Sequence, residues 1–157
     1  MEPSGYFNFD LTKISDALGI SENDTQLYFT DGRRVSFLIE RRAVESMAGS
    51  RLAPSEGSGF DLIDASEGLW EVRSLSKTIY FHPSYMEGSG RKFVEVGFLD
   101  KLDNIEGYFV TDITRFPEMP YWIIGYEIVE KWWHEGKLGA NTSKIGRKKF
   151  LNLIRES

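Results

Sequence analysis

The chain of 157 residues contains no cysteine, which excludes disulfide bonds, thiolate metal centres and cysteine nucleophiles. Its only histidines, His82 and His134, lack the spacing of a helical His-x-x-x-His zinc site. No apolar run approaches the roughly 20 residues of a membrane-spanning helix, and the N-terminus lacks the basic and apolar parts of a signal peptide. Together these absences predict a soluble, cytoplasmic protein that does not associate with membranes.

Hydrophobic and aromatic residues are plentiful, at 41% and 14% of the chain, which excludes intrinsic disorder and predicts one packed domain. The net charge of −5 argues against a protein that coats nucleic acid non-specifically. The charge is nevertheless segregated along the chain. Residues 95–130 hold eight acids against two bases, whereas residues 137–149 hold five bases and no acid.

The spacing of apolar residues predicts an α/β fold with a mixed central β-sheet flanked by helices. Asp10 is the predicted N-cap of the first helix, and Gly19 its end. Helices are predicted at residues 11–18, 33–47, 93–102, 127–134 and 147–154. Strands are predicted at residues 60–63, 69–72, 77–83, 107–113 and 121–126, with an extended run at 26–30 and a loop at 50–59.

The strands at 60–63 and 69–72 flank a short polar turn, which is the pattern of a β-hairpin. Because side chains alternate between the faces of a strand, Glu71 and Arg73 are expected on one face and Val72 on the other. The hairpin carries Asp61 back beside Glu71. Two carboxylates and a cation then share a patch that suits a hard divalent cation bound to a phosphate.

Asp61, followed after nine residues by Glu71-Val72-Arg73, resembles the Asp…(Asp/Glu)-x-Lys hairpin of the restriction-endonuclease-like, or PD-(D/E)xK, nucleases. The spacing and a second acid at Asp64 are most similar to the small homodimeric type II restriction enzymes. The predicted order of helix, three strands, helix and strand is the order of that family's core. The chain departs from the family pattern at Arg73, where lysine is usual.

The resemblance implies a restriction-endonuclease-like core and a metal-dependent endonuclease that hydrolyses DNA phosphodiester bonds, with restriction-type sequence specificity left open. It implies Asp61, Glu71 and Arg73 as catalytic residues, and Asp61 and Glu71 as ligands of Mg²⁺, for which Mn²⁺ substitutes. Arginine does not deprotonate, so Arg73 is expected to hold phosphate and not to act as a base. Lys77 or Lys92 is a candidate for the missing ammonium group.

The same resemblance divides the single nuclease-like domain, residues 1–157, into an N-terminal helical region (1–56), a catalytic core (57–130) and a basic C-terminal tail (131–157). Members of the family often add an acid from the helix before the hairpin, and Glu40 or Glu45 is the candidate here. A homodimer is expected, because two-fold symmetry provides one active site for each DNA strand.

Two basic segments are predicted to contact DNA, one before the helix at 93–102 and one at the start of the last helix. Cations and hydroxyl groups near a helix start suit phosphate contacts. The predicted DNA-binding residues are Arg91, Lys92, Ser143, Lys144, Arg147, Lys148 and Lys149.

Two alternatives remain open at this stage. In the first, the chain is a catalytically inactive DNA-binding or assembly protein that retains the nuclease fold and has lost the lysine. In the second, it is an interaction domain in which the acids of the hairpin have no special role. Metal binding through Asp61 and Glu71 separates the nuclease from both, and salt-dependent DNA binding separates the first alternative from the second.

Overall fold

The computed structural model describes residues 1–54 and 59–157. The strands are β1 (Gly5–Asn8), β2 (Arg51–Leu52), β3 (Leu62–Ile63), β4 (Leu69–Leu75), β5 (Thr78–Ile79), β6 (Gly107–Asp112), β7 (Glu118–Gly125) and β8 (Ile145–Gly146). In the described residues, six of them form a mixed sheet in the order β1-β7-β6-β4-β3-β2, and β5 pairs separately with β8. The predicted α/β class with a mixed central sheet is confirmed.

The helices are α1 (Leu11–Leu18), α2 (Glu22–Phe29), α3 (Gly32–Ser46), α4 (Glu95–Asp103), α5 (Tyr126–His134) and α6 (Arg147–Glu156). They cover both faces of the sheet with apolar side chains. On one face, α3 packs through Val35 and Ile39 against the layer that contains Phe109. On the other, α4 and α5 pack through Phe98 and Trp132. Within the described ranges, no helix has the length and apolar character that a membrane crossing requires.

Strand β6 lies at the centre of this arrangement and is buried along its whole length. It pairs parallel with β4 and antiparallel with β7. Tyr108 and Val110 belong to the core layer under α4 and α5, and Phe109 to the layer under α3. A strand covered on both faces has a nearly continuous apolar sequence, which is why residues 107–113 were recognisable as a buried strand.

The predicted helices are confirmed, with their ends shifted by a few residues, and side-chain caps account for where α1 and α3 begin. The Asp10 side chain accepts a hydrogen bond from the Lys13 amide at 3.0 Å, and Gly19 ends α1 with a φ of 68°. Asp31 caps α3 in the same way, because its side chain accepts from the Arg33 amide at 3.0 Å.

The N-terminal region differs from the prediction in two places. The extended run predicted at residues 26–30 is wrong, since most of it lies in α2. Ser21 caps that helix by accepting from the Asp24 amide at 3.0 Å, and acids at Glu22 and Asp24 favour its first turn. The sequence also gave no sign of β1, which pairs antiparallel with β7 at the edge of the main sheet.

Strands β2, β3 and β4 form an antiparallel meander, and α4 then connects to β6, which is parallel to β4. The first of these strands, β2, falls in the predicted loop at 50–59. The strand predicted at 77–83 contributes only β5, outside the main sheet. Residues 55–58 of the predicted loop, and the predicted boundary between residues 56 and 57, lie outside the described residues.

An ion pair between Arg147 and Asp112 fastens the start of α6 to the end of β6. Arg147 donates from Nε and Nη2 to Oδ2 of Asp112, at 3.0 and 2.6 Å. The side chain of Asp112 is only 1% exposed, and it also accepts from the amide and hydroxyl of Thr114. Because a buried carboxylate that loses its cation is strongly destabilising, this pair holds the C-terminal tail on the domain.

We expect Arg147→Ala to lower the free energy of unfolding by about 2–4 kcal/mol, because it leaves Asp112 buried without its cation. The matched control is Lys148→Ala. Lys148 is the next residue of α6, is exposed and has no ion pair within the described part of the chain, so its removal should change stability by about 0.5 kcal/mol or less. Urea denaturation measures both variants, and equal stabilities would contradict the assignment.

Candidate functional site

Glu71 and Arg73 lie on β4 and point to the sheet face that α4 covers. Leu75, two residues further along, belongs to the core layer of that face, whereas Val72 belongs to the layer under α3. Glu71 is 4% and Arg73 7% exposed. The strand therefore places an acid and a cation side by side inside the domain, in the orientation that the alternation of the sequence predicts.

The carboxylate of Glu71 lies between two cations. Its Oε2 is 2.5 Å from Nη1 of Arg73, and its Oε1 accepts a hydrogen bond from Nζ of Lys101. Lys101 lies on α4, and its ammonium group also donates to the carbonyl of Gly59. An ammonium group from the helix between β4 and β6 therefore lies against Glu71, beside the guanidinium of Arg73.

The guanidinium of Arg73 is enclosed by protein groups. Its Nε, Nη1 and Nη2 donate to the carbonyls of Tyr80, Val72 and His82, at 3.3, 3.1 and 3.4 Å. Burial is the largest single influence and acts to lower the pKa of Arg73, but the negative charge of Glu71 together with Tyr80, Tyr108 and Asp61 outweighs it, and the pKa is raised. Arg73 is therefore a fixed counter-charge for Glu71, and its engaged donors are poorly placed to hold a phosphate.

Asp61 immediately precedes β3 and reaches the same cluster. Its Oδ2 accepts from the Val72 amide at 2.7 Å and lies 3.9 Å from Nη1 of Arg73, the nitrogen that also contacts Glu71 at 2.5 Å. Burial raises the pKa of Asp61 and the charge of Glu71 raises it further, against the lowering effects of the Val72 amide and the nearby cations. The two predicted metal ligands are therefore neighbours.

The second acid of the hairpin, Asp64, shapes the turn. Its Oδ1 accepts from the amides of Ser66 and Gly68, at 2.8 and 2.9 Å, and its Oδ2 from Nε1 of Trp70 at 2.7 Å. The Trp70 hydrogen bond and the two amides lower the pKa of Asp64. Asp64 therefore stabilises the connection between β3 and β4, as acidic side chains in tight turns commonly do.

Asp61 lies where two clefts meet. The first, which we call the polar cleft, has a volume of about 890 Å³. The second, which we call the apolar cleft after the side chains of Phe37 and Phe60, has a volume of about 490 Å³, and Arg41 and the residues that it shares with the polar cleft add polar groups to its lining. Ser36, Glu40 and Asp61 line both. The lining of the polar cleft includes the hydroxyl or cationic side chains of Thr30, Arg33, Ser36, Arg73, Ser74, Ser76, Lys77, Thr78, Tyr80, Ser84 and Lys144.

The structure distinguishes between the two acids considered on the helix before the hairpin. Glu40 lines both clefts together with Asp61. Glu45 instead forms an exposed ion pair with Arg42 at 2.6 Å, one turn further along α3. Glu40 is therefore the acid that α3 adds to the neighbourhood of the site.

Ser143 and Lys144, both predicted to bind DNA, are tied to the segment after β5. Ser143 is fully buried. Its Oγ accepts from the Phe81 amide at 3.0 Å and lies 2.8 Å from Nδ1 of His82, which leaves no exposed hydroxyl for a phosphate. Lys144 lines the polar cleft and pairs with Glu87 at 2.7 Å. Of these two residues, only Lys144 has a side chain that lines a cleft and can contact a bound nucleic acid.

The remaining residues predicted to bind DNA are dispersed. Arg147 is engaged by Asp112. Four others are exposed and line neither cleft: Arg91 and Lys92 in the loop before α4, and Lys148 and Lys149 on α6. Of the candidates for the missing ammonium group, Lys77 lines the polar cleft, whereas Lys92 lies in that loop.

The acids of the site have the chemistry of a magnesium ligand set, although a small one. Across residues 1–54 and 59–157, no group of three or more histidine, cysteine, aspartate and glutamate side chains is arranged as a metal centre. Mg²⁺ needs only one or two carboxylates when water and phosphate oxygens complete its shell. Arg73 and Lys101 balance the charges of Asp61 and Glu71, so the acids alone attract a cation weakly. The donor set fits Mg²⁺ that binds together with a phosphate-bearing substrate.

Lys101 is the site residue that the sequence interpretation missed, although α4 carries a signal for it. Lys101 follows Phe98 by three residues and precedes Leu102, and both of these are buried. It therefore lies at the inner edge of an amphipathic helix. A lysine at the inner edge of the helix that follows an acid-bearing strand is therefore the sequence feature by which Lys101 could have been identified.

No model of a known protein family matches the chain, and no curated protein sequence matches it. The function is therefore argued from the geometry of the site.

We expect Asp61→Asn to raise the free energy of unfolding at pH 7, by on the order of 0.5–1 kcal/mol. Folding raises the pKa of Asp61, so the folded state holds this proton more tightly than the unfolded chain does. The stability contributed by Asp61 therefore falls as the pH rises from its unfolded pKa through its raised folded pKa. The advantage of asparagine should shrink towards about pH 4, the ordinary range of a carboxyl group. Denaturant titrations at both pH values measure it.

Asp64→Asn is the matched control within the same hairpin. Hydrogen bonds lower the pKa of Asp64, so its stabilising contribution is present at pH 7 and is lost on acidification. Its replacement should destabilise the protein at pH 7, the opposite sign to Asp61→Asn. If both substitutions changed the free energy of unfolding in the same direction, the ionised carboxylate of Asp61 would not be the one that destabilises the folded protein.

Proposed function

We propose that the protein is a metal-dependent nuclease that hydrolyses phosphodiester bonds of DNA at Asp61, Glu71 and Lys101. The observation that supports this most directly is the convergence of two acids from a β-hairpin and a lysine from the following helix. The three side chains come from β4, the start of β3 and α4, and Asp61 opens onto two clefts. The pKa of Asp61 is raised and its side chain lines both clefts, and a perturbed ionisable group beside a cleft is a common mark of a functional site.

The topology agrees with a restriction-endonuclease-like core, which forms part of the proposal. From α3 to β6 the chain runs through a helix, an antiparallel meander of three strands, the short strand β5 outside the main sheet, a helix, and strand β6 parallel to the third strand of the meander. Asp61 immediately precedes the second strand of that meander, and Glu71 lies on the third. Fold alone does not fix function, so the position of the acids within it carries more weight than the strand order.

Each side chain of the cluster has a separate role in the proposed reaction. Asp61 and Glu71 would hold Mg²⁺, with Mn²⁺ able to substitute, and such an ion would supply polarisation of the phosphate and a lower pKa for an attacking water. Lys101 moves from Glu71 to the phosphate and stabilises the negative charge that develops there. Arg73 contacts the carboxylate of Glu71 and holds it in place, so Arg73 is a positioning residue.

DNA is the proposed substrate because the polar cleft and the surrounding surface offer contacts to its backbone. Lys144 and Lys77 line the polar cleft, and further exposed cations are Arg91, Lys92, Lys148 and Lys149. Ser143 and Arg147 are left out of this set because internal contacts occupy them. The homodimer with one site for each strand stays a prediction, and sedimentation analysis of the protein with and without DNA measures it.

A second candidate is a DNA-binding or assembly protein that retains this fold and does not hydrolyse its ligand. It is favoured by one observation, namely that both oxygens of Glu71 already contact cations. A buried ion cluster of this kind also serves as a structural element when its charges stay paired. The two candidates differ in whether substrate and metal draw Lys101 away from Glu71.

The deciding experiment is cleavage of supercoiled plasmid DNA with Mg²⁺ and with Mn²⁺. We expect Glu71→Gln, Asp61→Asn and Lys101→Met each to lower the rate by about 100-fold or more, the usual loss when one stabilising group is removed from a reacting phosphate or acyl group. Discrete products would indicate sequence specificity, and a smear would indicate its absence.

Two controls match these variants in chemistry. Glu67→Gln removes an exposed acid from the turn of the same hairpin, and Lys131→Met an exposed lysine from α5. Both should cut like the wild type. Absence of cleavage by folded wild-type protein with either metal would favour the non-catalytic candidate, and equal losses in Glu67→Gln and Glu71→Gln would remove the hairpin acids from the mechanism.

The salt dependence of DNA binding tests the proposed phosphate contacts separately from hydrolysis. For metal-free protein, the slope of log affinity against log salt should become shallower by about 1 for each of Lys144→Gln and Lys148→Gln. Lys131→Gln on α5 is the control and should leave the slope unchanged. Unchanged slopes in all three variants would place the DNA elsewhere on the protein.

A further inference from the structure

The apolar cleft beside Asp61 has no part in hydrolysis as proposed. Phe37 lines it and is 64% exposed, although it lies on a helix whose Val35, Ile39 and Ala43 are buried in the core. Phe60, Leu52 and Pro54 complete an apolar surface around it. Large apolar side chains gathered at the surface indicate a binding region.

Arg41 gives this surface a flat, charged element. Its Cζ lies 3.2 Å from the centre of the Phe37 ring, and its Nη1 donates to the Phe37 carbonyl at 3.1 Å. The guanidinium of Arg41 therefore lies over the ring of Phe37 in a cation–π contact on one turn of α3. Aromatic rings and arginine planes are the groups on which proteins stack unpaired nucleobases.

The apolar cleft is continuous with the polar cleft, because Ser36, Glu40 and Asp61 line both. The polar cleft is lined by four cations and four acids, and on this side the hydroxyl groups and the cations Arg33 and Lys77 are the groups that suit a phosphodiester backbone. In the described residues, neither of these two cations is held in an ion pair. A ligand that spans both clefts thus carries negative charge at one end and a flat apolar group at the other.

We propose that the apolar cleft binds an unpaired base of a single-stranded nucleic acid whose backbone enters the polar cleft past Asp61. This inference rests on the proposed nuclease function and narrows its substrate. In a duplex, each base is stacked on its neighbours and paired, so its flat face is not free to lie on Phe37 and Arg41. In a single strand, the face is available at little cost.

The test is binding of a labelled single strand of DNA, an RNA of the same sequence and the annealed DNA duplex, without divalent metal and at one salt concentration. Wild-type protein should bind a single strand more tightly than the duplex. Phe37→Ala should weaken single-strand binding about 5- to 100-fold, the range for one lost stacking contact, and leave duplex binding unchanged. The DNA and RNA arms identify which strand is preferred.

Two further variants make the result specific to stacking. Phe37→Trp keeps a stacking surface and should restore single-strand affinity. Tyr6→Ala removes a comparably exposed aromatic residue, 51% exposed, from β1 at the opposite edge of the sheet, and it should bind like the wild type. Circular dichroism melts establish that all variants are folded.

The outcomes separate this inference from the proposed function. Plasmid cleavage that needs Asp61 and Glu71, with single-strand binding insensitive to Phe37→Ala, would overturn only the base-binding cleft. Single-strand binding that needs Phe37, with no cleavage of plasmid or of that single strand by wild type in Mg²⁺ or Mn²⁺, would uphold the cleft and overturn hydrolysis. Tighter binding to the duplex than to either single strand would overturn the inference, as would an effect of Tyr6→Ala equal to that of Phe37→Ala.

Discussion

The buried carboxylate of Glu71 is the constraint on which the arrangement of the site depends. A charge placed in the interior of a sheet is tolerated only when opposite charges and hydrogen bonds compensate it. Arg73 compensates it from the same strand and Lys101 from α4. Arg73 in turn needs acceptors, which the carbonyls of Tyr80 and His82 provide. The position of α4 and the path of the chain after β5 are thereby linked to one acid.

The same network joins the C-terminal tail to the site, although the tail is distant in sequence. Ser143 hydrogen-bonds the Phe81 amide and His82, next to the carbonyl that receives Arg73, and Lys144 pairs with Glu87. Pairing of β5 with β8 holds the two segments together. The basic tail is thus part of the scaffold around the polar cleft. Some residues of the tail therefore make internal contacts, whereas others are exposed cations.

A cluster with two acids and two cations has little net charge, which is consistent with a site completed by its substrate. Folding raises the pKa of Asp61, so its ionised form is held at some loss of stability. Strain of this kind is common where activity and stability compete. A phosphodiester that drew Lys101 away and a metal that joined the acids would relieve it. This reciprocity between Lys101 and the metal is the physical core of the proposed function.

The sequence by itself determined the local features: the capped ends of α1, the buried strand β6, the hairpin, and the shared face of Glu71 and Arg73. Each depends on hydrogen bonds or on periodicity within a few residues, which a single sequence displays. Only the tertiary structure decided that Lys101 meets Glu71, that Glu40 and not Glu45 reaches the clefts, and that Ser143 is buried. The short strands β1 and β2 were also settled there, because two to four residues carry too little periodic pattern to be recognised. The packing of the helices on the sheet decides which distant side chain neutralises a buried charge. The spacing of residues along the sequence does not reveal that packing.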